Sequence, residues 1–135
     1  MNADKRPMQA PPTDAAGADS VVESSAFPAL EPMEEVAPGI FRQMLAHGPA
    51  LMLCRVRFEG GAVGSLHTHP HAQVTYVESG RFRFHIDGED RDLGPGESCY
   101  IAPELLHGTT CLLAGSLIDA FTPARADFLP AGVSR

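Results

Sequence analysis

Lysine is almost missing from this 135-residue chain: Lys5 is its only copy, and it lies in a segment rich in Pro, Ala and Asp. Schiff-base and lysine general-base chemistry therefore has no residue to work with in a folded core. Long apolar runs are missing too. No stretch approaches the roughly 18 apolar residues of a membrane span, and Met1–Ala26 lacks the apolar centre of a secretory signal. The three cysteines, Cys54, Cys99 and Cys111, are odd in number, far apart and outside any C-x-x-C pattern, so neither a disulfide framework nor a thioredoxin-like site is expected. These features predict a soluble cytoplasmic protein. There is no G-x-S-x-G elbow, no phosphate-cradling G-x-x-x-x-G-K-[ST] and no G-x-G-x-x-G, which removes the usual support for hydrolase triads and nucleotide sites.

Excess positive charge is also lacking. The net charge is −7; residues 1–38 hold 7 acidic and 2 basic side chains, and residues 39–135 hold 10 and 8, a balance of −2. A domain so nearly balanced has no basic stripe to neutralise phosphates, so no nucleic-acid partner is expected, and no membrane partner either.

What the chain does have is turns. With 13 Gly and 12 Pro among 44% apolar residues, it suits a single all-β domain better than a helical one. Residues 1–37 read as a flexible N-terminal leader, because their composition cannot bury enough apolar surface to offset ordering entropy. Residues 38–130 read as the folded barrel. Within it, period-two runs alternate with turn residues. Strands are predicted over Met52–Phe58, from about Gly64 into His67-Thr68-His69, over Gln73–Glu78, Phe82–Ile86 and Ser98–Ala102, and finally over Thr109–Leu113 and Ser116–Phe121. Asp87-Gly88 reads as a hairpin turn, and no helix of useful length is predicted. His47, before Gly48-Pro49, reads as loop.

Four of the six histidines, His67, His69, His71 and His107, fall near predicted strand ends. On a strand, residues i and i+2 share a face, so His67 and His69 can aim both imidazoles at one ion. Further ligands must come from other strands. His71 reads as a rim or solvated residue, and His85 as exterior by its parity with Arg81 and Arg83.

From Gly61 to Gly80 the chain resembles the first cupin motif, G-x5-H-x-H-x3-E-x6-G, at every fixed spacing, with Gln73 where the motif usually has Glu. Pro95-Gly96 through Pro103 and on to His107-Gly108 resembles the second. The resemblance implies the cupin double-stranded β-helix, a jelly-roll barrel, with a divalent ion (Zn, Ni, Mn, Fe or Co) held by His67, His69, Gln73 and His107. Three neutral imidazoles and a neutral amide leave the ion's charge uncompensated where Glu would halve it. Such a site favours an anionic ligand and Lewis-acid chemistry.

The tail from Leu117 to Leu129, LIDAFTPARADFL, resembles the pectin-degradation cupins, which open unsaturated uronates from pectin and alginate breakdown into linear keto sugar acids. The His67–Gln73 run is similar to theirs as well, although Ala72 and Ala126 stand where that family often has Glu. The resemblance implies catalytic roles for Asp119 and Arg125, with Phe121 lining the pocket. It also implies a metal-dependent, lyase- or isomerase-like enzyme acting on a small anionic sugar acid. A non-catalytic sensor cupin and a metal-dependent dioxygenase are the competing readings. A homodimer is expected, because open sheet edges invite pairing.

Overall fold

The structure, a computed structural model, describes residues 23–130. Residues 1–22, most of the expected leader, lie outside the described residues, as do residues 131–135. Ten strands follow one another: β1 (Glu34–Ala37), β2 (Ile40–Gly48), β3 (Leu51–Phe58), β4 (Val63–His67), β5 (Ala72–Val77), β6 (Arg81–Ile86), β7 (Glu89–Leu93), β8 (Ser98–Ile101), β9 (His107–Leu113) and β10 (Gly115–Thr122). The only helical element among the described residues is a 3₁₀ turn at Ala126–Phe128, and no helix there is long and apolar enough to cross a membrane.

Every strand pairing is antiparallel. The strands form a six-stranded sheet, β1-β2-β3-β10-β5-β8, and a four-stranded sheet, β4-β9-β6-β7. Alternation decides which side chains enter the space between them. On β3, Met52, Cys54, Val56 and Phe58 are buried, while Leu51, Leu53 and Arg57 face out. On β6, Phe82 and Phe84 point in, and Phe82 meets Phe58 of the other sheet edge-on with ring centroids 5.3 Å apart. Outward, Arg83 pairs with Asp92, and His85 with Asp90, as the parity of that strand predicts.

The Asp87-Gly88 turn joins β6 to β7 with both residues at positive φ, +50° and +83°, the geometry that a two-residue hairpin of this twist requires. Two stretches are strands that the sequence pattern did not single out. Glu34–Ala37, inside the segment read as leader, pairs with β2 as an edge strand. His47 belongs to β2 and pairs with Met52, so its reading as loop is corrected: the Gly48-Pro49 turn signal marks where the strand ends, and the strand runs up to it.

Candidate metal centre and its pocket

The centre begins with a β-bulge. In the β4–β9 ladder Gly64 pairs with Thr109, and a regular antiparallel register would then set Leu66 opposite His107. The register shifts between Gly64 and His67, and His67 takes that place instead. One extra residue on β4 thus turns His67 to the face that His107 already occupies. The two strands also approach closely: a Cβ on Gly108 would lie 2.8 Å from the Gly64 carbonyl oxygen. β4 ends at His67, so His69 stands beyond the strand, in the link to β5. Its ring still converges with the others. Centroids lie 4.3 Å apart for His67 and His107, 4.7 Å for His69 and His107, and 5.4 Å for His67 and His69.

Ligand nitrogens of the three lie within 4.8 Å of one another, which positions His67, His69 and His107 for a metal ion. The protons support this. Each Nδ1 sits against a backbone carbonyl oxygen, Ser65 for His67 (2.8 Å), His71 for His69 (3.0 Å) and Leu105 for His107 (2.8 Å). A carbonyl only accepts, so each neutral ring carries its proton on Nδ1 and keeps the lone pair on Nε2. The His107 Nε2 is buried with no partner. Burial, more than any charge, pushes His69 and His107 below the usual imidazole range, which keeps them neutral and able to ligate.

A polar relay leads away from these rings. The Gln73 Oε1 is 3.0 Å from the His69 Nε2, the Gln73 amide NH₂ donates to the Thr75 hydroxyl at 2.9 Å, and that hydroxyl donates to the Asp119 carboxylate at 2.6 Å. Once the Thr75 proton is committed to Asp119, Thr75 accepts from the Gln73 NH₂, which leaves the amide oxygen facing the histidines. Oxygen and nitrogen lone pairs then oppose each other at hydrogen-bond distance, an arrangement that a cation between them relieves. The donor set therefore fits a divalent ion. Gln73, Thr75 and Asp119 all point inward, and Asp119 and Phe121 of β10 pair with Thr75 and Gln73 of β5. Burial pushes the Asp119 carboxyl up to about 6, against the opposing pull of its hydrogen bonds from Thr75 and Gln73 and of the Arg125 charge.

His67, Gln73, His107, Asp119, Phe121 and Arg125 line one cavity of about 200 Å³. Arg125 precedes the 3₁₀ turn and holds Asp127 through Nε and Nη2 at 3.0 and 2.8 Å, with its guanidinium carbon 5.2 Å from the centre of the Phe121 ring. His71 lies beside the cluster rather than in it, its ring 5.4 Å from His69 and 6.5 Å from Phe121. Thr75 is the residue of this relay that the sequence reading passed over. Its parity with Gln73 and Val77 was the available signal.

Comparison with known proteins adds the following. A cupin domain profile matches residues 54–112. The pectin degradation protein KdgF of Dickeya dadantii (strain 3937) is 42% identical over 100 residues, 73% of this chain and 91% of that protein. Among solved structures, an RmlC-like cupin from Shewanella frigidimarina NCIMB 400 is 39% identical with a TM-score of 0.76, covering 79% of this chain and 98% of that one. KdgF from Halomonas sp. is 40% identical with a TM-score of 0.71, covering 73% and 92%.

Proposed function

This chain belongs to the family of the pectin degradation protein KdgF, within the cupins, and on that premise we propose that it is a metal-dependent enzyme opening 4,5-unsaturated uronate monomers into linear keto sugar acids. The observation that carries the reading is the convergence of three imidazole lone pairs and the Gln73 amide oxygen beside a buried carboxylate, in one cavity that Arg125 also lines. A divalent ion (Zn, Ni, Mn, Fe or Co) held by His67, His69, Gln73 and His107 would supply Lewis-acid polarisation of a substrate oxygen. All four donors are neutral, so the centre attracts an anion, in keeping with a sugar acid.

Ring opening is an isomerisation. The proton of the anomeric hydroxyl leaves, the bond from C1 to the ring oxygen breaks as C1 becomes an aldehyde, and a proton arrives at C4 as the enol at C5 becomes a ketone. Asp119 takes the first proton and delivers the second. A carboxyl raised to about 6 exchanges protons readily near neutral pH. Arg125 pairs with the substrate carboxylate, and Phe121 forms the wall against which the ring lies. The reading extends to a cytoplasmic homodimer, supported by an outward row of exposed apolar side chains, Leu53, Val74 and Tyr100, across the six-stranded sheet.

Two measurements test it. Protein purified without an affinity tag is assayed for bound metal, and the metal-loaded protein is then given unsaturated galacturonate or guluronate monomers while the C=C ultraviolet absorbance is followed. About one equivalent of metal and an accelerated loss of absorbance are expected. Failure to take up metal after incubation with all five ions refutes the ligand assignment. Tight binding of either monomer without turnover makes the protein a sensor, and oxygen consumption makes it a dioxygenase.

A further inference from the structure

Arg42 stands at an inward position on β2. It pairs with Val56, and its neighbours of like parity, Ile40 and Met44, pair with Phe58 and Cys54; all three partners are buried. An apolar side chain is the usual occupant of such a position. A guanidinium there loses water, and burial is the main cause that lowers its pKa. A desolvated cation needs a partner. Among the described residues Arg42 makes no salt bridge. The nearby carboxylate Asp127 is engaged in two hydrogen bonds by Arg125. What holds Arg42 is a ring: its guanidinium carbon lies 3.7 Å from the centre of Phe128, with that of Arg125 at 4.1 Å from the same centre. Two cations thus share one aromatic residue, with the Arg125 charge adding to the effect of burial on Arg42, and both line the cavity that holds His67, His107 and Asp119.

We infer that Arg42 is a specificity-determining residue of this pocket: the carboxylate of a bound sugar acid completes its charge balance, and the pocket thereby selects an anionic sugar over a neutral one. The inference rests on the uronate reading above and deepens it. Arg125 has Nε and Nη2 already committed to Asp127, whereas Arg42 has its cross-strand partner Glu34 and Asp127 near it without a salt bridge to either, so its guanidinium is the one free to bond a ligand. A carboxylate near Phe128 faces both.

The test uses the full chain with metal bound. Steady-state kinetics on the unsaturated galacturonate monomer are compared for wild type and Arg42→Gln, and calorimetry compares galacturonate with galactose as probes. Arg42→Gln should raise KM about tenfold or more and leave kcat within about threefold, since the lost contact serves ground state and transition state alike. The preference for galacturonate over galactose should fall by a similar factor, and bound metal should not change. If the Gln variant fails to fold, Arg42→Met keeps an aliphatic stem over Phe128 and takes its place. Unchanged KM and unchanged preference in a folded, metal-loaded neutral variant overturn the inference while leaving the uronate reading intact. A wild type that binds galactose as well as galacturonate overturns it without any variant. A wild type that prefers galacturonate through Arg42 yet turns nothing over overturns the catalytic reading alone.

Discussion

The role proposed for Asp119 would set function against stability in one side chain. Its carboxylate lies in the core of β10, accepts the Thr75 hydroxyl proton and titrates near 6 because burial disfavours its charge. An unfolded Asp titrates near 3.9. In the metal-free protein, between these values, the folded state keeps a proton that the unfolded state has released. The stability tied to protonated Asp119 is complete below about pH 4 and is lost as pH rises through about 6. Asn is neutral throughout, of the same size, and still accepts from Thr75. Metal-free Asp119→Asn should therefore melt higher than wild type near pH 8, by an amount equivalent to at most roughly 2–3 kcal/mol, and lose that advantage near pH 4. With metal, the same variant should lose about 10²–10⁴ in kcat with little change in KM, the signature of a missing proton carrier. Calorimetric melting at the two pH values and steady-state kinetics check the two halves separately. Unaltered kcat removes Asp119 from the proton transfers.

At the scale of elements, the candidate metal centre takes its geometry from the register of β4 against β9. Without the bulge, Leu66 would oppose His107 and His67 would turn to the other face of the sheet. Deleting Ser65 would set Leu66 opposite Gly108 and keep His67 opposite His107 in a regular ladder, so the folded deletion variant should keep its metal affinity close to that of wild type. Gly108→Ala tests the same junction from β9. Its Cβ would meet the Gly64 carbonyl at 2.8 Å, backbone against which no rotamer gives relief. β4 must move away from β9, and His67 from His107. Gly108→Ala should bind Zn or Ni more weakly by calorimetric titration, whereas the Ser65 deletion and His71→Ala, which alters a ring outside the cluster, should not. Wild-type affinity in Gly108→Ala refutes the role given to this junction, and a folded Ser65 deletion that loses metal refutes the register argument.

For the whole molecule, the proposed ion and the proposed second copy would be two terms beyond the chain's own core. A ligand at about 100 times its dissociation constant stabilises a native state by roughly 2.7 kcal/mol, so chelation should lower the melting temperature and added metal restore it. His67→Ala should remove most of that difference. The outward row Leu53–Ala120–Val74–Tyr100 runs across adjacent strands β3, β10, β5 and β8, with Tyr100 61% exposed. If this face covers a second copy, Tyr100→Glu should convert a dimer to a monomer by light scattering. A monomeric wild type refutes the homodimer.

Alternation and turn chemistry are local properties, and what depends on them was legible in the chain. Met52 to Phe58, Phe82 to Ile86 and the Asp87-Gly88 turn could be placed without any structure, and the spaced histidines with Gln73 could be assigned to cupin motifs. Two strands escaped: a register shift between Met44 and His47 breaks the period of the nine-residue β2, and β1 is short. β1 is only Glu34–Ala37, exposed except at Ala37, and is a strand because β2 offers it an edge. Tertiary structure alone decided the rest. Strand parity could suggest that His67 and His69 share a face, but His69 lies beyond the strand and His67 faces inward through a bulge, a shift of register that depends on the partner strand. The relay from Gln73 through Thr75 to Asp119 joins residues 44 positions apart. Likewise, Arg42 comes beside Arg125 because β2 carries one to the cavity and the turn after β10 carries the other. Period-two patterning tells which side of a strand a residue occupies; only the closing of two sheets on each other determines what it meets there.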